Sequence, residues 1–98
     1  MIDLQDTKTQ LEPLFIKHSI VRAIVFGSYA KGTATENSGI DIVIDSHGFL
    51  NGINFFTAQH ELSNALPVKS DIYEQIEIKE GSALQAEILK YGVAIYER

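Results

Sequence analysis

Between Gly39 and Asp45 the chain reads Gly-Ile-Asp-Ile-Val-Ile-Asp. Ile40, Ile42 and Ile44 fall on one parity, and Asp41, Val43 and Asp45 on the other. A helix would scatter those isoleucines around its axis, whereas a strand collects them on one face. The segment is therefore expected to be a β-strand with its isoleucine face in a core and Asp41 on the opposite side. A chain of 98 residues has room for one core, since single domains run roughly 50–250 residues. The rest of the sequence has to pack around this strand.

Flanking segments supply that packing. Residues 3–18 place Leu4, Leu11, Leu14 and Phe15 at helical spacing. Pro13, inside that run, is expected to bend the helix or to start a second one. Val21–Phe26 is a β-branched run closed by Gly27, which reads as a buried strand. "SYAKG" reads as a short helical turn ended by Gly32, and "TATENS" as a loop. After the turn "SHGFLNG", residues 52–66 put Ile53, Phe56, His60, Leu62 and Leu66 on a helical pattern stopped by Pro67. "VKSDIYE" is a short strand carrying Asp71. Ser82 and Gly92 punctuate a last helix, and "VAIYE" closes the chain as a strand. These elements predict one α/β domain over residues 1–98, a small mixed β-sheet flanked by helices.

Composition removes several classes of function. The chain contains no cysteine, so disulfides, thiolate zinc sites and cysteine nucleophiles are excluded. His18, His47 and His60 lack the close spacing of a helical metal motif and read as surface or boundary residues. Thirteen acids against eight bases give a net charge of −5. Strong direct binding to nucleic acid is disfavoured, because that affinity comes from Lys and Arg on phosphates. A metal–nucleotide ligand is compatible with this charge, since the cation brings its own positive charge. The first twelve residues do not read as a signal peptide, and no apolar run approaches the roughly 20 residues that span a bilayer. The expected location is the cytoplasm. Glu74, Glu77 and Glu80 recur every three residues and read as a solvated face.

The glycine turn before Asp41 narrows the chemistry. A strand ending at Gly27-Ser28 and passing into a helix aims free backbone N–H groups at an anion. Gly27 admits close approach of a phosphate, Ser28 adds a hydroxyl donor and Lys31 adds a mobile positive charge. The same residues also suit a plain strand-to-helix turn. Asp41 then brings a carboxylate, and Asp71 is expected to bring another from a neighbouring strand. Carboxylates so placed hold magnesium, which takes one or two of them together with phosphate oxygens.

The run Gly27-Ser28-x-Ala30-Lys31-Gly32 followed by Ser38-x-x-Asp41-Ile42 resembles the signature of the minimal nucleotidyltransferase domain, within the DNA polymerase beta-like superfamily. The tail "ILKYGVAIYER" is similar to that family's usual ending, so the resemblance covers nearly the whole chain. It implies the nucleotidyltransferase fold and metal-dependent transfer of a nucleoside monophosphate from ATP or another nucleoside triphosphate to an acceptor. It further implies that Asp41 and Asp71 are catalytic and hold Mg2+ or Mn2+, and that Gly27, Ser28, Lys31 and Ser38 bind the nucleotide. Minimal members are often antitoxins paired with a HEPN-domain RNase toxin, and some attach nucleotide to that partner.

One position departs from the pattern. The family motif ends Ser-Asp-x-Asp, and the first of those Asp positions is Gly39 here. A carboxylate at 39 would share the face of Asp41, ~6–7 Å along the strand. Asp45 shares that face too but lies ~13 Å away by strand rise, too far for one metal cluster. Glu36, in the preceding loop, would have to become ordered to substitute. The scaffold is thus expected to be intact with weakened chemistry. The alternative is a catalytically silent module that caps a partner toxin. Because so small a domain leaves its cleft open on one side, a partner or a second copy of the chain would complete it.

Overall fold

The computed structural model describes residues 2–98. In chain order its elements are α1 (Leu4–Lys17), β1 (Arg22–Phe26), α2 (Ser28–Lys31), β2 (Ile40–Asp45), α3 (Gly52–Asn64), β3 (Ser70–Glu74), a 3-10 turn (Gln75–Glu77), α4 (Ala83–Tyr91) and β4 (Val93–Glu97). The strands form one sheet in the order β3-β2-β1-β4. β1 runs antiparallel to β2 and to β4, while β2 and β3 are parallel. A parallel pair needs a long crossover, and α3 supplies it.

The isoleucine parity of β2 behaves as expected. Ile40, Ile42 and Ile44 are fully buried, and each such side chain contributes about 1.5–3 kcal/mol relative to exposure. They meet Leu11 and Phe15 from α1 and Ala58 and Leu62 from α3. The opposite face is not simply solvated. There Val43 packs with Phe26 of β1 and Ile88 of α4, with Tyr73 and Leu84 against them. The sheet is therefore covered on both faces, and Asp41 shares the smaller, α4-covered side.

Three local expectations are corrected. Pro13 does not start a second helix, because α1 runs unbroken from Leu4 to Lys17. Leu11 and Phe15, fully buried on either side of Pro13, anchor that turn against the loss of one backbone hydrogen bond. The buried stripe of α3 is also rotated from the predicted one. Ala58 and Leu62 face the core with Phe55 packed beside them, whereas Ile53 and Phe56 are 79% and 63% exposed. His60 is exposed as well and stacks on Phe56 with ring centroids 6.2 Å apart.

The third correction concerns Glu74, which is 2% exposed rather than part of a solvated face. Its carboxylate accepts from Ser46 Oγ at 2.5 Å and from the Ile76 amide at 3.2 Å. Ser46 Oγ in turn accepts from the Leu50 amide at 3.0 Å. Glu74 thus ties the end of β3 to the loop after β2, and its hydrogen bonds offset the cost of burying a charge. The Ser82 cap conforms to expectation, and Asp3 caps α1 in the same way. Asp3 accepts from the Asp6 amide at 2.7 Å, and Ser82 accepts from the Gln85 amide at 3.1 Å. Among the described residues no helix is long and apolar enough to cross a membrane.

Candidate active site

β2 and β3 bring Asp41 and Asp71 together. The two residues are register partners on adjacent parallel strands, so their side chains leave the sheet on the same face. Asp41 is half-buried, and burial pushes its carboxyl above the ordinary value of 3.8. The charges of Asp71 and Glu87 and hydrogen bonding with Asp71 push in the same direction. Tyr73, two residues beyond Asp71, has its hydroxyl raised above 10.0 by burial, then by Asp71 and Asp41. Its ring lies 5.8 Å from that of Phe26.

The glycine turn closes the other side of Asp41. In the sheet Asp41 lies opposite Phe26, so the next residue, Gly27, arrives beside its carboxylate. Gly27 has φ 74° and ψ −153°, a region that is essentially restricted to glycine. A Cβ at this position would also collide with the Asp41 carboxylate. Backbone conformation and space therefore both demand glycine here. Ser28 then opens α2, a single turn of four residues ended by Gly32 at φ 77°.

The remaining predicted positions take distinct places. Lys31 reaches α4, where its Nζ lies 2.5 Å from Glu87 Oε1 and 5.0 Å from the Tyr91 ring centroid. The Glu87 hydrogen bond is the main cause of its raised pKa. Ser38 Oγ accepts from the Thr35 amide at 2.9 Å and so closes the loop just before β2. Asp45, at the far end of β2, pairs with Arg22 at 3.3 Å and accepts from the His47 amide at 2.8 Å. Glu36 is exposed within the Thr35–Ser38 loop.

Gly39 precedes β2 directly. A Cβ there would lie 3.3 Å from the Lys69 carbonyl oxygen and 3.5 Å from Lys69 Cβ. Such contacts are tight but need only a few tenths of an ångström of give. The backbone therefore has no steric need for glycine comparable to that at Gly27.

Sequence reasoning missed Glu87 and Tyr73. Glu87 sits on a helix whose capping signals were plain, but nothing in its spacing points to β2. Tyr73 was legible only as a strand residue, although it follows Asp71 by two and so must share its face.

Among the described residues no group of three or more His, Asp or Glu side chains is arranged to enclose a metal ion. The pair Asp41 and Asp71 nevertheless fits magnesium, which binds through one or two carboxylates and completes its shell with water and phosphate oxygens. Asp41 is raised first by burial and then by the charge of Asp71, and a cation held between them would offset that charge.

Comparison with known proteins places this arrangement. Residues 9–98 match the family described as polymerase beta, nucleotidyltransferase. A candidate protein adenylyltransferase of Methanocaldococcus jannaschii is 28% identical over 71 residues, covering 72% of this chain and 76% of the relative. A second from the same organism is 34% identical over 56 residues, 57% of each chain. A chain from a toxin–antitoxin crystal structure with AMP-PNP superposes with a TM-score of 0.77 at 22% identity, over 93% of this chain and 73% of that one. A chain from the complex of tri-AMPylated Shewanella oneidensis HEPN toxin with its MNT antitoxin gives 0.72 at 18%, over 97% and 73%. The nucleotidyltransferase fold is common to them, and with 90 of its residues matched the chain belongs to the polymerase beta nucleotidyltransferase family.

Proposed function

We propose that this single-domain chain binds ATP or a related nucleoside triphosphate with Mg2+ or Mn2+ on the face of the sheet where the Gly27 turn meets the Asp41–Asp71 pair. It transfers the nucleoside monophosphate to a hydroxyl of a protein acceptor. The observation that carries the reading is the register pairing of Asp41 with Asp71 beside a glycine whose missing side chain makes room for the Asp41 carboxylate. Family membership and the two adenylyltransferase-type relatives support the reaction class.

In this reading a bond forms between the acceptor oxygen and the α-phosphorus, the α–β bridging bond breaks, and pyrophosphate leaves. Asp41 and Asp71 would hold the cation, which when bound neutralises charge on the triphosphate. Asp71, the more exposed of the two, receives the proton of the acceptor hydroxyl on its carboxylate. Gly27 lets phosphate oxygens approach the backbone, and the Ser28 hydroxyl donates to them. Ser38 contributes by holding the loop before β2 in shape. Tyr73 and Phe26 pack against one another on the same face of the sheet as Asp41 and Asp71.

Gly39 favours a second reading. The position that would supply another carboxylate on the face of Asp41 has no side chain, so catalysis is weakened relative to a full set. A chain of this kind retains a use as an antitoxin-type module that caps a HEPN-domain RNase. The toxin–antitoxin complexes with the same fold support that partner class. Both readings place the protein in the cytoplasm. The test is transfer of label from α-labelled ATP to a HEPN-domain partner, with Mg2+, by this protein and by Gly39→Asp. Label on the partner supports transfer. Partner binding without label from either protein leaves the capping role alone.

A further inference from the structure

Lys31 and Glu87 meet across the gap between α2 and α4, joining positions 56 residues apart in sequence. Glu87 and Tyr91 are four residues apart, hence on one face of α4, and Lys31 lies against both. The lysine and glutamate side chains are 36% and 32% exposed. A pair this open to water adds little to stability. Glu87 is the second acid whose field reaches Asp41, after Asp71. Lys31 is the cation of the glycine turn, and in this structure it faces Glu87.

We propose that Glu87 is a positioning residue that parks Lys31 against α4 and makes the site selective for metal-bound over metal-free triphosphate. This rests on the reading of the Asp41–Asp71 face as a nucleotide site. A metal-free triphosphate entering the site meets Asp41, Asp71 and Glu87 with Lys31 already engaged. It gains the lysine only by exchanging the Lys31–Glu87 pair for a Lys31–phosphate pair, which leaves Glu87 as an uncompensated negative charge nearby. A metal-bound triphosphate brings its own positive charge and needs that exchange less. Glu87 therefore opposes the free anion more than the metal complex. Its partial exposure allows the unpaired carboxylate to be solvated once Lys31 has moved.

The experiment is calorimetric titration at low ionic strength, where a single charge is least screened. Two ligands are compared, ATP with a chelator and ATP with excess Mg2+. The proteins are the unmodified chain, Glu87→Gln, Lys31→Met and the double variant. Glu87→Gln keeps the size and a hydrogen-bonding amide, and its melting curve reports whether the fold persists. The expected result is tighter binding of metal-free ATP by roughly five-fold in Glu87→Gln, with a smaller change for the magnesium complex. In the Lys31→Met background the gain should shrink, so that the two substitutions are not additive. A merely structural brace would instead weaken both ligands equally on removal, or give additive effects, and either result overturns the proposal. Unchanged discrimination in Glu87→Gln, with the unmodified protein binding MgATP, sinks this proposal alone. No binding of either ligand by any of the proteins sinks the nucleotide-site reading with it.

Discussion

Asp41 and Asp71 stand opposite one another on parallel neighbouring strands, two carboxylates brought together by backbone register rather than by a flexible loop. Burial and the charge of Asp71 hold the Asp41 proton more tightly than an unfolded chain would. A cation held by the two carboxylates would offset their negative charge, the property expected of the proposed metal–nucleotide site.

The raised Asp41 carboxyl has a pH signature. The folded state binds the Asp41 proton more tightly than the unfolded state, so from about pH 3.8 up to the raised value it carries more protons. The contribution of Asp41 to stability therefore falls as pH rises through that window. Thermal melting across mildly acidic pH should show this decline, and saturating Mg2+ should flatten it by displacing the Asp41 proton. Asp71→Asn should also reduce the decline. The check is the slope of melting temperature against pH with and without the metal.

Gly27→Ala places a methyl group against the Asp41 carboxylate at φ 74° and ψ −153°. The backbone penalty alone is about 1–3 kcal/mol, and displacement of Asp41 adds to it. Denaturant unfolding should show a lowered midpoint with little change in slope. A midpoint equal to that of the unmodified protein would mean that the turn relaxes freely.

At Gly39 the prediction has the opposite sign. Gly39→Asp should fold, since only the Lys69 carbonyl and Cβ crowd the new Cβ. It should raise the rate of nucleotide transfer. If the added ligand restores about 4 kcal/mol of charge stabilisation, the gain is on the order of a thousandfold. The readout is labelled transfer to a partner, compared side by side at saturating Mg2+.

The site and its scaffold were not equally legible in the sequence. β2 could be read because period two leaves no helical alternative for Ile40, Ile42 and Ile44, and the glycine-rich run before it carries the family signature. The phase of α3 could not be, because Ile53 and Phe56 satisfy helical spacing as well as Phe55, Ala58 and Leu62 do. Only contact with the sheet selects the second set. Glu74 misled for a related reason: the acids at 74, 77 and 80 mimic a solvated helix face, but Glu74 ends a strand. Glu87 carries no local signal at all, since its partner Lys31 is 56 residues away and the crossing of α4 over the sheet creates the contact.

Glu74 yields a stability prediction independent of the site. Its carboxylate accepts from buried Ser46 and from the partly buried Ile76 amide. Glu74→Ala strands those donors and should cost about 1–3 kcal/mol for each left unsatisfied. Glu77→Ala removes only the acceptor for the Glu74 amide and should cost less. Chemical denaturation of the two variants in parallel gives the ranking.

The central claim, that the Asp41–Asp71 pair beside Gly27 is a metal–nucleotide site, is tested most directly by calorimetric titration of ATP with and without Mg2+ into the unmodified protein and into Asp41→Asn. The account predicts magnesium-dependent binding by the unmodified protein, with affinity and magnesium dependence both reduced in Asp41→Asn by roughly tenfold or more. Binding that is the same in both proteins, or absent from the unmodified one, would contradict it.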